Sequence, residues 1–334
     1  MDEQSLNSIA KLLVAPEKGI LAADESTGTI GKRFAGIGVE NTEENRRAYR
    51  ELLLRTPEIE KYISGVIFFD ETIRQSTKDD IPFTKLLLEK GIIPGIKVDK
   101  GLKNLEGSSE EKITDGLDGL AERAKEYYAL GARFAKWRAA IKIGENIPTD
   151  NCIEKNAEIL ARYAKICQEN NLVPIVEPEV LMDGNHSIGR CFEVTKKTLA
   201  TTFSALEREK VDLSGILLKP NMVIYSLQGG RVAPERVAEM TLECFRQVVP
   251  ALVPGIVFLS GGQTEAEACE NLNAINLASK NEAWELSFSY GRALQNTALK
   301  TWAGNSMNTK SAQDVFLHRA KLVSGARCGK YAKE

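Results

Sequence analysis

At the ends of three short apolar runs a pair of charged residues stands two positions apart: Lys97 and Asp99, Lys136 and Arg138, Glu177 and Glu179. Residues i and i+2 on an extended strand share a face, so each pair can enter one common space. Further runs end in Asp24, in Lys219, in Ser260-Gly261-Gly262 and in Gly291-Arg292. A single charge where a strand meets water is ordinary solvation. Unlike charges on several strand ends describe a pocket that binds anions and moves protons.

The residue types narrow that chemistry. Only two histidines exist, His186 and His318, which leaves little room for a zinc site built on imidazoles. A metal route would want imidazoles or a dense carboxylate cluster, so neither metal nor cofactor is expected. His186, in "DGNHS", and His318, in a helical stretch, read as surface residues. An amine nucleophile fits the set better. A lysine activated by cationic neighbours and partial burial attacks a carbonyl and forms a Schiff base. The protonated imine then draws electrons from a neighbouring C–C bond, while carboxylates carry the protons. Lys219, in the apolar "GILLKP", is the best nucleophile; residue types alone leave Lys97 and Lys136 as rivals.

Phosphate handles accompany the lysines. "LAADESTGTIGKR" (21–33) contains Gly31-Lys32 but lacks the glycine five places earlier and the hydroxyl residue that comes next in a P-loop; Ser26 and Arg33 stand there instead. A nucleotide is therefore not expected. "LSGGQ" and "SYGR" offer glycines for close backbone approach and the fork of Arg292. Ser26, Thr29, Lys32 and Arg33 offer a second handle. Two handles imply a substrate phosphorylated at both ends.

These residues need elements to hold them. Eight apolar runs recur, at 18–24, 63–71, 92–99, 131–138, 172–179, 214–221, 255–262 and 285–292. They are short and apolar on both faces, as buried parallel strands are. Helical faces lie between them. Ile113, Leu117, Leu120, Ala124 and Tyr127 follow 4-3-4-3 steps, as do Ile153, Ala157, Leu160, Ala164 and Cys167, and each set predicts one buried helix face. Eightfold alternation predicts an α/β fold, a (β/α)8 TIM barrel spanning 1–334 as one domain with a short C-terminal tail. A doubly wound sheet would want a G-x-G-x-x-G turn after an early strand, and none is present. In a barrel the loops after strands seven and eight commonly hold phosphate.

The whole-chain figures agree. The 334 residues are 43% hydrophobic, and 44 basic against 46 acidic side chains leave a net charge of −2. No global field draws the chain to nucleic acid or membrane. No run is long enough to span a bilayer, and no basic, then apolar, start marks a secretory leader. Six scattered cysteines without C-x-x-C spacing suit free thiols in a reducing cytoplasm.

"GILAADESTGTIGKR", "GIKVDKG", "FAKWR", "IVEPE", "LLKPNMV", "FLSGGQ" and "SFSYGRALQ" occur in order, at most one per strand position. Through them the chain resembles the class I fructose-1,6-bisphosphate aldolases over essentially its whole length. The resemblance implies metal-independent, reversible cleavage of fructose 1,6-bisphosphate through a lysine Schiff base. It implies Lys219 as the imine-forming lysine and Glu177, with Glu179 beside it, as acid and base for the carbinolamine. Lys136 would stabilise charge, and Asp24 would take the C4 hydroxyl proton. Ser260, Gly261, Gly262, Ser289, Gly291 and Arg292 would hold the C1 phosphate; Ser26, Thr29, Arg33, Lys97 and Arg138 would serve the C6 end. The resemblance also implies a homotetramer. Thr29 stands where many members have Ser, which keeps the hydroxyl. Many members end in a mobile tail with a terminal tyrosine that helps protonate the enamine. This chain reads "CGKYAKE" where such a tail would begin, and Tyr331 is not expected to substitute. Alternatives are an aldolase for another phosphorylated ketose, such as fructose 1-phosphate, and a non-catalytic scaffold keeping the fold.

Overall fold

The computed structural model describes residues 5–279 and 281–332. Ten strands occur among them: β1 Gly19–Ala23, β2 Ile63–Phe68, β3 Ile93–Lys97, β4 Leu102–Asn104, β5 Lys112–Thr114, β6 Phe134–Ile141, β7 Val173–Val180, β8 Leu217–Leu218, β9 Gly255–Phe258 and β10 Glu285–Tyr290. Each of the eight apolar runs supplies one strand of a closed barrel, in the order β1-β10-β9-β8-β7-β6-β3-β2, with every neighbour parallel. Helices connect them, as parallel pairing requires a crossover. The strands β4 and β5 stand apart as an antiparallel hairpin on the loop after β3.

That hairpin overturns part of one predicted helix. Ile113 lies in β5, opposite Lys103, and the helix begins only at Leu120. The cause is local. Gly116 and Gly119 adopt φ of 122° and 67°, left-handed conformations that stop a helix from extending back through Leu117. From Leu120 onward the expected face is kept, with Leu120, Ala124 and Tyr127 buried. The second pattern holds throughout: Asp150–Glu169 is one helix, capped by Thr149, burying Ile153, Ala157, Leu160, Ala164 and Cys167.

The barrel strands face two ways. Outward residues pack under the helices; Trp137 on β6 meets Tyr163 at 5.4 Å between ring centroids, and the Tyr163 hydroxyl donates to the Ala135 carbonyl at 2.8 Å. Inward residues change character with height. Ile20, Ala22, Ile67, Phe134, Val173, Ile175, Leu217 and Val257 fill the lower interior. Ile9, Ala10 and Leu13 of the helix Leu6–Leu13 join them and close that end. Phe134 fits only because β3 offers Gly95, where a Cβ would lie 2.3 Å from the ring. Above this apolar floor the same inward rows turn polar. Phe134 gives way to Lys136 and Arg138, Ile175 to Glu177 and Glu179, Leu217 to Lys219, and Ala22 to Asp24. The period-2 rule delivers all of them to one mouth.

Candidate active site

The mouth opens into a cavity of about 540 Å³. Its lining includes Asp24, Ser26, Thr29, Arg33, Lys97, Lys136, Arg138, Glu177, Glu179, Lys219, Ser260, Gly261, Ser289, Gly291 and Arg292. At its base, Glu177 Oε1 lies 3.2 Å from Lys219 Nζ and Oε2 lies 3.1 Å from Lys136 Nζ. Lys136 also reaches Asp24 Oδ2 at 2.7 Å. Lys136, Glu177 and Lys219 are all under 5% exposed. Two ammonium groups and two carboxylates thus form one chain, Lys219–Glu177–Lys136–Asp24, running from β8 across β7 and β6 to β1.

The field of that chain decides its protonation. Burial alone would push the carboxyl of Asp24 up, but the nearby charges of Lys136, Lys219 and Lys97 hold it well below the usual carboxylate range. Glu177 is lowered in the same way, with burial outweighed by Lys136, Lys219 and Arg138. Burial would push Lys136 down, yet Asp24, Glu177 and Asp99 raise it above an ordinary lysine. Lys136 is a locked cation.

The walls carry further cations. Arg138 donates through Nε to Glu179, beside the first chain. Lys97 Nζ sits 5.0 Å from the ring centroid of Phe69, a cation–π contact. On the β1 side, Ser26 caps the helix Thr27–Ala35, its Oγ accepting from Thr29 N at 3.4 Å and lying 3.1 Å from Thr29 Oγ1. Arg33 pairs with Glu25 and donates to Gln295 Oε1 and Asn296 Oδ1, each at 3.3 Å. Next to it, after the neighbouring strand β10, Gly291 precedes the helix Arg292–Trp302, and both Gly291 and Arg292 line the cavity; a helix N-terminus is a place where backbone N–H groups can bind an anion. Ser289 Oγ is buried there without a hydrogen-bond partner among the described residues.

Three features depart from the expectations of sequence. Gly262 does not line this cavity. It holds the turn after β9 at φ 77° and borders a second cavity of about 360 Å³ with Gln263 and Leu227. His186 is not a surface residue but 8% exposed, because the segment after β8 folds over it and Ser226 N donates to its carbonyl at 3.4 Å; His318 is exposed as expected. Glu25 joins the site although spacing does not single it out. It lines the cavity and is shared by Arg33 and the buried Arg50, whose Nη2 donates to Oε2 at 2.8 Å. Glu25 sits beyond the strand on a loop, where no alternation rule assigns a direction. Asp99 also lines the cavity, with Oδ2 buried and without a hydrogen-bond partner among the described residues. Tyr331 lies elsewhere, bordering a surface hollow with Pro234 and Leu277.

Among the described residues no group of three or more His, Cys, Asp or Glu side chains is placed to hold a metal, and no helix is long and apolar enough to cross a membrane. A closed parallel barrel with ionised groups concentrated at the C-terminal ends of its strands is the build of a barrel enzyme. The family described as fructose-bisphosphate aldolase class-I matches residues 5–334. A probable class 1 fructose-bisphosphate aldolase of Xanthomonas campestris is 56% identical over 334 residues, covering 99% of each chain. The cytosolic fructose-bisphosphate aldolase 6 of Arabidopsis thaliana is 56% identical over 96% of this chain and 90% of its own length. In structure, the fructose-bisphosphate aldolase of Plasmodium falciparum, solved with TRAP and a small-molecule inhibitor, superposes with a TM-score of 0.97 at 52% identity, over 98% of this chain and 95% of that one. The chain belongs to the class I fructose-bisphosphate aldolases, metal-independent lyases.

Proposed function

We propose that Lys219 is the imine-forming lysine of this aldolase and Glu177 its proton carrier. The enzyme cleaves fructose 1,6-bisphosphate reversibly to dihydroxyacetone phosphate and glyceraldehyde 3-phosphate through a lysine Schiff base. The sharing of Glu177 between two lysines carries the assignment. Lys136 is locked between Asp24 and Glu177, and Lys97 stands over Phe69. Among the described residues Lys219 forms an ion pair with one carboxylate, Glu177, able to take its proton.

The steps derive from that geometry. Glu177 accepts a proton from Lys219, and the free amine attacks the C2 carbonyl. The same carboxyl returns the proton to the carbinolamine hydroxyl, which leaves as water and yields the iminium. Lys136 steadies the negative charge of Glu177 and Asp24 through these transfers, and Glu179 orients Arg138. Asp24, ionised, takes the proton of the C4 hydroxyl; the C3–C4 electron pair moves to the iminium nitrogen, leaving an enamine and releasing the aldehyde. The enamine is protonated at C3 by water or a cavity group other than Tyr331, and hydrolysis frees the ketone.

The phosphates take the two walls. Ser260, Gly261, Ser289, Gly291 and Arg292 hold the C1 phosphate, supported by the unpartnered Ser289 hydroxyl and the helix N-terminus beside it; Gly262 shapes the turn. Ser26, Thr29, Arg33, Lys97 and Arg138 serve the C6 phosphate. The chain works as one barrel domain in the cytoplasm, as a homotetramer. Closure of β1 on β10 supports the single domain, and the cytosolic Arabidopsis relatives support the location.

Reductive trapping tests the reading. The protein is incubated with dihydroxyacetone phosphate and borohydride in EDTA, and the adduct is mapped by mass. One adduct on Lys219 is expected. An adduct on Lys97 or Lys136 would overturn the roles, and binding without any adduct would favour a scaffold.

A further inference from the structure

We infer that Asn221 is a positioning residue, which sets Lys219 against Glu177 by continuing the β7–β8 pairing with its side chain. The inference rests on Lys219 being the nucleophile. β8 has only two residues, Leu217 and Leu218, and its pairing with β7 is correspondingly brief. Lys219 still ties to β7 through its own N–H, which donates to the Val176 carbonyl at 2.8 Å. Pro220 comes next and has no N–H to give. Beyond it the two strand ends are joined by the amide of Asn221. Its Oδ1 accepts from Val180 N at 3.0 Å, and Nδ2 donates to Thr195 Oγ1 at 3.0 Å and to the Met222 carbonyl at 3.1 Å.

These bonds bracket the reacting pair. Val180 immediately succeeds Glu179 and lies three residues beyond Glu177, while Asn221 lies two residues beyond Lys219. Asn221 is 1% exposed and Thr195 is also 1% exposed, so water cannot replace a lost partner without a cavity to enter. The amide sits behind the reacting groups, outside the residues that line the cavity. It acts on the separation of Lys219 and Glu177, and the proton transfer between them depends on that separation.

The test uses the full-length enzyme. Trapping on the wild type is mapped first; failure to label Lys219 there would remove the assignment of the nucleophile, independently of any result on Asn221. N221A and N221D are then compared for Tm, for binding of dihydroxyacetone phosphate and for the rate of borohydride-trapped imine at saturating ligand. N221A is expected to slow imine formation on the order of tenfold to a hundredfold, the range produced by small misplacements of reacting groups, while ligand affinity stays near the wild-type value. N221D keeps an acceptor for Val180 N and is expected to recover part of the rate. T195V and T195S serve if the Asn221 variants do not fold, T195V slowing the imine step and T195S sparing it. An unchanged rate in folded N221A, or in T195V, overturns the inference, as does a loss confined to ligand binding.

Discussion

Lys136 Nζ and Asp24 Oδ2 meet at 2.7 Å across the barrel interior, joining β6 to β1, strands that are not neighbours in the sheet. The contact fixes two things together. It keeps Lys136 charged and unable to act as a nucleophile, and it keeps Asp24 ionised, as the proton acceptor proposed above must be. Replacing Lys136 by Met strands two buried carboxylates. K136M is expected to lose about 3–5 kcal/mol of stability, read by urea unfolding, together with most of its activity.

The same chain makes stability depend on acid. Asp24 and Glu177 titrate below their ordinary values in the folded protein, so the unfolded chain binds their protons first. Their contribution is present above the unfolded carboxyl values, about pH 4, and is lost as pH falls through the depressed folded values. Unfolding free energy measured from pH 7 to pH 3 should fall with acid, and D24N should flatten that slope.

Lys219 is expected to be irreplaceable. K219A should lower kcat by at least about 10³-fold and abolish the trapped adduct, with circular dichroism unchanged. A K219A enzyme that still forms the adduct elsewhere would disprove its role.

Ser289 separates binding from folding. Its hydroxyl is 1% exposed and has no hydrogen-bond partner among the described residues, so S289A removes an unsatisfied group and should leave Tm unchanged or raised. If that hydroxyl waits for phosphate, the KM for fructose 1,6-bisphosphate should rise all the same. An unaltered KM would remove Ser289 from the phosphate site.

Tyr331 gives a contrasting expectation. It packs beside Pro234 and Leu277, away from the cavity, and its N–H donates to Asn273 Oδ1 at 2.9 Å. Y331F, and truncation of residues 329–334, should leave proton exchange at C3 of dihydroxyacetone phosphate unaltered. A marked loss in either would bring this segment into the protonation step.

The legible parts of this protein are those governed by a short period. Strand alternation places Lys136, Arg138, Glu177 and Glu179 on one face, because inward and outward positions cannot be exchanged without moving the whole strand. The helical period locates Asp150–Glu169 for the same reason. Where backbone conformation intervenes, period fails. Ile113 and Leu117 keep helical spacing, but Gly116 and Gly119 turn the chain and leave Ile113 in a hairpin. Loops are opaque for a related reason. Glu25 and Gly262 point where tertiary contacts send them, and nothing in their spacing distinguishes the acid that lines the cavity from the glycine that does not. His186 shows the same limit, since its cover is a segment about forty residues further along the chain.

The helix Leu6–Leu13 seals the end of the barrel opposite the lysines, and Phe134 fills the space above it. Among the described residues the barrel is therefore packed shut at this end and open at the end that holds the lysines. Hexose phosphate arriving, triose phosphates departing and the water exchanged at each step must all share the same threshold. Traffic there, rather than anything passing through the barrel, sets what the enzyme can admit while a ketone remains tethered inside.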